Sequence, residues 1–266
     1  MPVRGRSLHI GLNFIDPRRY GGWDGELEAC EFDARDMEAL ALDRGIGASV
    51  LLTRHATRAR VLAGVAAAAK ALRPGDLFLL TYSGHGAQVP DVAAEEADGM
   101  DETWCLWDGE LIDDEIYRAL AAFRAGVRVV VLSDSCHSGT VVRAPRPRAR
   151  QPRGRPRALP QAAARRAYLA RQQFYDGIPR GASPQDIAAA VLLISGCQDH
   201  QLSMDGPDNG AFTGALLDVW DGGRFEGSYT DFHAAIRGQL PRTQSPNLML
   251  MGTAAPALAR EQPFQI

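Results

Sequence analysis

The stretch Arg128-Val-Val-Val-Leu-Ser-Asp-Ser-Cys136-His-Ser-Gly-Thr140 decides the fold class that this sequence predicts. Four consecutive apolar residues, three of them β-branched, are typical of a strand that is buried on both faces of a parallel sheet. The polar residues that follow place Cys136 at the carboxyl end of this strand, where open α/β sheets bind their ligands. A second apolar stretch, Asp76–Gly86, ends in the same way and brings His85 to the same edge. The two ends predict a thiol nucleophile, Cys136, with an imidazole base, His85.

The chemistry of a thiol explains why the imidazole matters. An unperturbed thiol has a pKa of about 8.5 and is only a few per cent ionised at neutral pH, unless a nearby imidazolium stabilises the thiolate. Without such a partner, a lone cysteine after an apolar strand is usually an inert buried side chain, which is the alternative for Cys136. His137 is the poorer candidate base, because neighbouring side chains of a strand face opposite ways.

Two motifs resemble the active-site motifs of metacaspases, a branch of the caspase-like cysteine peptidases. They are Tyr82-Ser-Gly-His-Gly86 and Asp134-Ser-Cys-His-Ser-Gly139, and their separation is close to the roughly 50 residues typical of caspases. The caspase signature Gln-Ala-Cys-x-Gly is absent, which favours the metacaspase branch. Residues 195–203 and 210–213 resemble the smaller half of the metacaspase catalytic domain, so the resemblance spans Ser7 to Met251.

Strand and helix patterns alternate along the chain, which argues for a parallel sheet with helices on both faces. The resemblance implies the same class: a three-layer α/β/α caspase-like fold with a mainly parallel sheet of about six strands. At 266 residues and 45% hydrophobic content, the chain is expected to form a single peptidase domain over 1–266. Its halves would be 1–140 and 167–266.

The segment 141–166 between the halves has a different composition. It holds nine arginines and five prolines, with no acidic residue from 143 onward. Such a segment buries too little apolar surface to offset its ordering entropy, and it is predicted to be an exposed, mobile linker.

Composition excludes several classes of protein. The formal charge of −3 gives no overall bias toward nucleic acid or an anionic membrane, and nucleic acid is not an expected partner. No run of about 18 apolar residues and no signal peptide is present, so a cytoplasmic protein without a membrane span is expected. The four cysteines lack C-x-x-C spacing, which argues against a zinc clip or a redox motif. The family resemblance implies a monomer.

The candidate specificity pocket is acidic. Asp134 lies two residues before Cys136, and Ser83 two before His85, so each would share a face with its catalytic neighbour. A carboxylate beside the nucleophile disfavours the thiolate, but it suits the binding of a substrate cation.

The resemblance adds Cys30-x-x-Asp33 to the pocket formed by Ser83 and Asp134, and it implies cleavage of protein or peptide substrates after Arg or Lys. The alternative for Asp33 is an ordinary exposed helix carboxylate. Cys136 would attack the peptide carbonyl, and backbone N–H groups of Cys136 and Gly86 would hold the oxyanion. No third catalytic residue and no cofactor is needed for this chemistry.

Calcium is a candidate activator. Eleven carboxylates and no basic side chain lie between positions 91 and 115, and hard oxygen ligands suit this ion. The ligands of calcium-activated metacaspases match Asp101, Asp113 and Asp114. The fourth carboxylate of that set, seven residues past the nucleophile, is Arg143 here, which opposes cation binding. The alternative is a solvated acidic loop.

The arginine-rich segment has three interpretations: self-processing by an enzyme with an acidic pocket, binding of nucleic acid or an anionic surface, and a solvated insertion without function. At the level of the whole chain, the alternative to an endopeptidase is a silent or weak caspase-like scaffold that binds a partner or nucleic acid through this segment. A panel of peptides ending in Arg, Lys or Asp separates the two, because only the enzyme turns over the basic peptides.

Overall fold

The structure of the protein is a computed structural model that describes residues 4–93, 98–136, 155–197, 201 and 203–266. The strands of the described part are β1 (Gly5–Gly11), β2 (Gly47–Leu52), β3 (Leu77–Ser83), β4 (Gly86–Pro90), β5 (Met100–Leu106), β6 (Gly109–Ile112), β7 (Arg128–Asp134), β8 (Ala190–Ser195) and β9 (Asn247–Met251). The helices are α1 (Cys30–Asp43), α2 (Arg58–Ala71), α3 (Asp113–Ala121), α4 (Gln161–Ala170), α5 (Gln172–Asp176), α6 (Ala211–Trp220), α7 (Tyr229–Gln239) and α8 (Ala255–Leu258).

Six strands form the central sheet in the order β2-β1-β3-β7-β8-β9. All neighbouring pairs are parallel except β8 and β9, which are antiparallel. The mainly parallel sheet of about six strands predicted from the sequence is therefore confirmed. β8 and β9 belong to the second half of the chain and extend the sheet beyond β7, so the two halves share one sheet.

The middle strands are covered on both faces. All seven residues of β3 are buried, and its apolar residues from Leu77 to Leu80 alternate between two hydrophobic clusters. Phe78 and Leu80 pack with α2 and α3 on one face, whereas Leu77 and Leu79 pack with α1, α6 and α7 on the other. This burial on both faces is why β3 and β7 are continuous apolar runs in the sequence. No described helix has the length and apolar character that crossing a membrane requires.

A second, smaller sheet contains β4, β5 and β6 in antiparallel order. β4 begins at Gly86, directly after His85, and the hairpin of β5 and β6 leads into α3. The acidic stretch of the sequence supplies most of this sheet.

Part of the arginine-rich segment differs from the exposed linker expected between 141 and 166. Positions 141–154 lie outside the described residues, and 155–166 combine exposed positions with buried ones. The side chain of Arg157 is 0% exposed, Leu159 is buried at 2%, and α4 starts at Gln161. An arginine can be buried here because carboxylates surround it, which composition alone does not reveal.

Candidate active site

Two strand ends bring the candidate catalytic residues together. β3 and β7 are parallel neighbours whose last residues, Ser83 and Asp134, are paired in register. Beyond these ends, the backbone N–H groups of Gly86 and Cys136 both donate to the carbonyl oxygen of Arg157, with N···O distances of 3.0 and 3.1 Å. They are the two amides expected from the sequence to hold an oxyanion. Two N–H groups that converge on one carbonyl oxygen form the arrangement that acyl transfer requires.

Residues 155–157 approach this point as an extended strand. The N–H of Arg157 donates to the carbonyl of Ser203 at 3.0 Å, and the N–H of Asp205 donates to the carbonyl of Arg155 at 2.8 Å. These bonds run in the antiparallel sense that a peptide adopts when it adds a strand to an exposed edge.

The chain continues through the site on the other side of Arg157. The N–H of Leu159 donates to the carbonyl of Gly86 at 2.9 Å, and Ala158 forms a bridge with Gly86. Backbone hydrogen bonds to Gly86 thus hold the chain on both sides of the peptide bond between Arg157 and Ala158.

The guanidinium of Arg157 fills an acidic pocket. One nitrogen, Nη2, lies 2.8 Å from Asp33 and 2.9 Å from Asp205, and the other, Nη1, lies 2.9 Å from Asp134 and 2.8 Å from the Ser83 hydroxyl. Burial raises the pKa of Asp134, although the neighbouring guanidinium opposes this shift. Burial by itself would lower the pKa of Arg157, but the surrounding carboxylates hold it well above its usual value. The pocket therefore binds a planar cation in its charged form.

Further hydrogen bonds hold Asp134 and Asp33 beside the guanidinium. Asp134 accepts from the N–H and the hydroxyl of Thr213, at 3.0 and 2.9 Å, and from the hydroxyl of Ser203 at 2.5 Å. Asp33 accepts from the N–H of Gly210 at 3.0 Å. Thr213 lies in the first turn of α6 and Gly210 directly precedes this helix, so its amino end contributes donors to both carboxylates.

Cys30 lies at the first position of α1 and is buried behind the pocket. Burial raises the pKa of its thiol, which is therefore neutral. Among the predicted pocket residues, Asp33, Ser83 and Asp134 bind the guanidinium directly. No hydrogen bond of the described structure joins Cys30 to Arg157.

His85 is held in one orientation. Its Nε2 atom lies 2.9 Å from the carbonyl oxygen of Gly25, and the ring of Trp23 packs against it with the centroids 4.6 Å apart. Burial lowers the pKa of His85 to about 4, so the imidazole is neutral. A carbonyl only accepts, so Nε2 carries the proton and Nδ1 keeps its lone pair. Nδ1 has no hydrogen-bond partner in the described part of the chain, which suits a base.

The thiol of Cys136 is protonated in this state. Its sulfur lies 3.4 Å from the carbonyl oxygen of Ser203 and accepts a hydrogen bond from the N–H of the same residue. Burial and the neighbouring Cys197 raise the thiol pKa. The described residues show no hydrogen bond between this sulfur and His85. His137, the candidate base rejected from the sequence, lies outside the described residues.

The predicted calcium ligands lie together. Oxygen atoms of Asp101, Asp113 and Asp114 are all within 4.8 Å of one another. Arg180 already approaches them, with Nε 2.8 Å from Asp101 and 3.9 Å from Asp114. Burial, followed by neighbouring carboxylates, raises the pKa of Asp113 to about 8. Arg143, the cation expected to oppose calcium, lies outside the described residues.

Sequence reasoning missed four residues of the site: Asp205, Arg157, Trp23 and Gly25. Asp205 binds Arg157 and also accepts from the N–H of Glu28 at 2.7 Å, which joins the pocket to the loop before α1. No periodic pattern marks this irregular segment. The signal that was available for Arg157 is the apolar pair Ala-Leu directly after it, at the end of the arginine run.

Comparison with protein families gives one match over nearly the whole chain. The family model described as Caspase domain matches residues 10–262. Metacaspase-1 of Saccharomyces cerevisiae is 31% identical over 254 residues, which cover 80% of this chain and 57% of the yeast protein. Metacaspase-1B of Aspergillus fumigatus is 29% identical over 291 residues, covering 92% of this chain and 69% of the fungal protein. This chain thus spans little more than half the length of the yeast relative.

Solved structures give the same fold. The crystal structure of protein GSU0716 from Geobacter sulfurreducens superposes with a TM-score of 0.90 at 53% identity, covering 99% of both chains. Caspase-1 from Spodoptera frugiperda superposes with a TM-score of 0.56 at 11% identity, covering 94% of this chain and 88% of that one. The second match supports the caspase-like fold alone.

Proposed function

This chain belongs to the caspase-domain family of metacaspase-like cysteine peptidases, and we propose that within it the protein is an endopeptidase that cuts after arginine and, more slowly, after lysine. Cys136 is the nucleophile and His85 the base. One observation carries the proposal: the Arg157 guanidinium fills a pocket of three carboxylates while its carbonyl oxygen accepts from Gly86 and Cys136. This is the position that the residue before a scissile bond would take.

The proposed reaction begins when the Cys136 thiol turns from the Ser203 carbonyl toward His85. The sulfur attacks the carbonyl carbon, its proton passes to Nδ1 of His85, and the oxyanion accepts hydrogen bonds from the amides of Gly86 and Cys136. The C–N bond then breaks and His85 returns the proton to the leaving amine. Water attacks the thioester and gives a proton to His85. The C–S bond then breaks, the acid product leaves, and His85 passes this proton to the Cys136 sulfur, which reforms the thiol.

The resting dyad is neutral in this proposal. Burial raises the pKa of Cys136 and lowers that of His85, so both side chains are neutral and no thiolate–imidazolium pair forms in advance. Proton transfer therefore accompanies the attack, and a base with a free Nδ1 lone pair serves this step.

Arginine is favoured over lysine by geometry. The guanidinium offers a planar fork that meets Asp33, Asp134, Asp205 and the Ser83 hydroxyl at once. An ammonium is a compact point charge with three donors and does not match this fork. Both cations are attracted by the carboxylates, whereas an acidic side chain is repelled.

A panel of fluorogenic peptides that end in Arg, Lys or Asp tests the proposal. Turnover of the Arg peptide, slower turnover of the Lys peptide and none of the Asp peptide are expected. Cys136→Ala and His85→Ala should abolish turnover, because each removes a participant in the bond-making step. Absence of turnover with every peptide, with and without calcium, would favour the silent scaffold instead.

Self-processing is part of the proposed function. The docked segment supports cleavage between Arg157 and Ala158, which would divide the chain into fragments 1–157 and 158–266. Intact-mass measurement of the purified protein should find these two fragments, and Cys136→Ala should leave the chain whole. An intact wild-type chain under conditions in which the Arg peptide is turned over would refute self-processing and leave the peptidase proposal standing.

The other interpretations of the arginine run receive less support. Arg155 and Arg157 are already engaged by carboxylates of the same chain, so they do not offer charge to a phosphate backbone. The arginines from 143 to 153 lie outside the described residues. The expected cytoplasmic location and monomeric state stay predictions.

Calcium is proposed as a ligand that competes with a side chain. The oxygen donors of Asp101, Asp113 and Asp114 fit a hard cation, which would neutralise their charge when bound. Arg180 supplies a positive charge at the same carboxylates. We therefore expect weak calcium binding that strengthens when Arg180 is replaced.

A further inference from the structure

We propose that the amino group released at Ala158 by self-processing remains at the active site and accepts acyl groups from the Cys136 thioester. The protein is then a transpeptidase as well as a hydrolase, because it joins peptides that end in arginine to its own chain. The inference rests on the proposed endopeptidase function and on its cut between Arg157 and Ala158.

The two sides of this peptide bond are held by different kinds of contact. On the acid side, Arg157 uses the carboxylate pocket and the amides of Gly86 and Cys136, which are the contacts proposed for a substrate arginine. After the cut, a substrate can therefore replace Arg157 by competition. On the amine side the contacts belong to the packing of the fold, and a substrate arginine does not compete for them.

Ala158 and Leu159 are held beside Gly86. Ala158 forms a bridge with Gly86, and the N–H of Leu159 donates to the carbonyl of Gly86 at 2.9 Å. The Leu159 side chain is 2% exposed and belongs to the same hydrophobic cluster as Phe78 and Leu80. Full burial of a leucine contributes about 1.5–3 kcal/mol, so this anchor opposes release of the new chain end.

Helix α4 extends the anchor. Its buried residues Ala163 and Ala167 join the same hydrophobic cluster, and Nε of Arg166 donates to the carbonyl of Gly21 at 3.1 Å. The chain then continues through α5 into β8, a strand of the central sheet. The amine at Ala158 is thus tethered one residue before a buried leucine and three before a packed helix.

Attack by this amine is the reverse of the step that releases it, with a different acyl group on the sulfur. The Ala158 nitrogen bonds to the thioester carbonyl carbon and gives a proton to His85. The C–S bond then breaks, and His85 passes the proton to the Cys136 sulfur. The amides of Gly86 and Cys136 hold the oxyanion, as they do in hydrolysis.

The tether gives the amine an advantage over water. Well-oriented groups of one molecule reach effective molarities of about 10⁵–10⁸ M, so even a small part of this effect lets the amine compete with the solvent. An ordinary α-amino group has a pKa of about 7.7–8.0 and is largely unprotonated at pH 8. We therefore expect capture by Ala158 to compete with hydrolysis of the thioester at this pH.

A fluorogenic peptide tests the inference on the self-processed full chain at pH 8. Acetyl-Ala-Pro-Arg coupled to aminomethylcoumarin releases coumarin when the acyl-enzyme forms, and the mass of fragment 158–266 reports capture. In samples stopped by acid during turnover, this fragment should gain one acetyl-Ala-Pro-Arg group. Peptide mapping should locate the group on the Ala158 nitrogen, and Lys70, the single lysine of the chain, should stay unmodified.

Two matched variants test the role of the anchor. Leu159→Asp removes the buried leucine, whereas Leu169→Asp makes the same change at a leucine of α4 that is 56% exposed. Leu159→Asp should lower the labelled share of fragment 158–266, relative to coumarin released, by about tenfold to a hundredfold, because a small misplacement of a reacting group costs this much. Leu169→Asp should keep the wild-type share. Counting the label per fragment corrects for incomplete processing.

Release of coumarin with Ala158 unmodified would overturn the inference and leave the endopeptidase proposal standing. Equal labelling in Leu159→Asp, equal labelling of Lys70, or release of coumarin by a chain that stays uncut would overturn it in the same way. Failure to release coumarin from any arginine peptide would overturn both proposals.

Discussion

Replacement of Arg157 by glutamine should lower the stability of the unprocessed protein. A small guanidinium compound that binds the emptied pocket should restore part of this stability. The variant is made in a Cys136→Ala background, so that neither protein cuts itself. Glutamine retains a polar side chain of reduced length and removes the cation, which leaves Asp33, Asp134 and Asp205 buried without their partner.

The size of the expected stability loss follows from the burial of Arg157 and of the carboxylates around it. The Arg157 side chain is 0% exposed, and the carboxylates around it are 1 to 4% exposed. Removal of one partner from such a buried ion cluster typically costs about 3–5 kcal/mol in free energy of unfolding. Arg155→Gln is the matched control, because its half-exposed ion pair is worth at most about 1 kcal/mol.

Urea unfolding followed by tryptophan fluorescence measures these losses. Acetyl-arginine amide should then stabilise Arg157→Gln selectively, by about 2.7 kcal/mol at a concentration one hundred times its dissociation constant. The Cys136→Ala parent and its Arg155→Gln variant should not be stabilised by acetyl-arginine amide, because their own Arg157 occupies the pocket. A loss below about 1 kcal/mol for Arg157→Gln, or equal stabilisation of all three proteins, would refute the claim that this pocket binds a guanidinium.

Three further outcomes follow from the structure. Asp205→Asn should lower kcat/KM for arginine peptides by about tenfold to a hundredfold, because it weakens a charged hydrogen bond, whereas the exposed Asp208→Asn on the same loop should change it less than twofold. His9 is buried with its pKa lowered to about 3, so the folded state binds fewer protons than the unfolded state below about pH 6.5 and loses stability as pH falls. The wild type should therefore lose about 2–3 kcal/mol more than His9→Gln in urea titrations between pH 6.5 and 4.5, and equal losses would contradict the buried neutral imidazole. Arg180→Gln should enlarge the calcium-induced rise in melting temperature by about 3 °C at a fixed calcium concentration; an unchanged rise would show that Arg180 does not compete with the ion.

The fold was predictable because burial leaves a direct mark on sequence. β3 and β7 are covered on both faces, so each is an unbroken apolar run, and the polar residues that end them mark the edge of the sheet. The same marks led to His85 and Cys136, since each lies just after such a run.

The occupant of the pocket was not predictable. Seven arginines lie between 143 and 157, and of the two that the structure describes, only the three-dimensional register of the segment places Arg157, and not Arg155, in the acidic pocket. Composition argued that the whole segment is exposed, because composition takes no account of carboxylates supplied from elsewhere in the fold. Asp205 was missed for a related reason, because it lies on an irregular stretch without periodicity. Its role depends on contacts with Glu28 and Ala29, which precede it in the sequence by 177 and 176 positions.

Covalent labelling of Cys136 is the measurement that tests the central claim most directly. A peptidyl chloromethyl ketone that ends in arginine should add one adduct to the processed wild-type chain, and peptide mapping should locate it on Cys136. The matched ketone that ends in aspartate should add none, and Cys136→Ala should stay unmodified with either reagent. Labelling by the aspartyl ketone at the same rate, or an adduct on Cys30, Cys105 or Cys197 instead, would contradict an arginine-directed thiol peptidase.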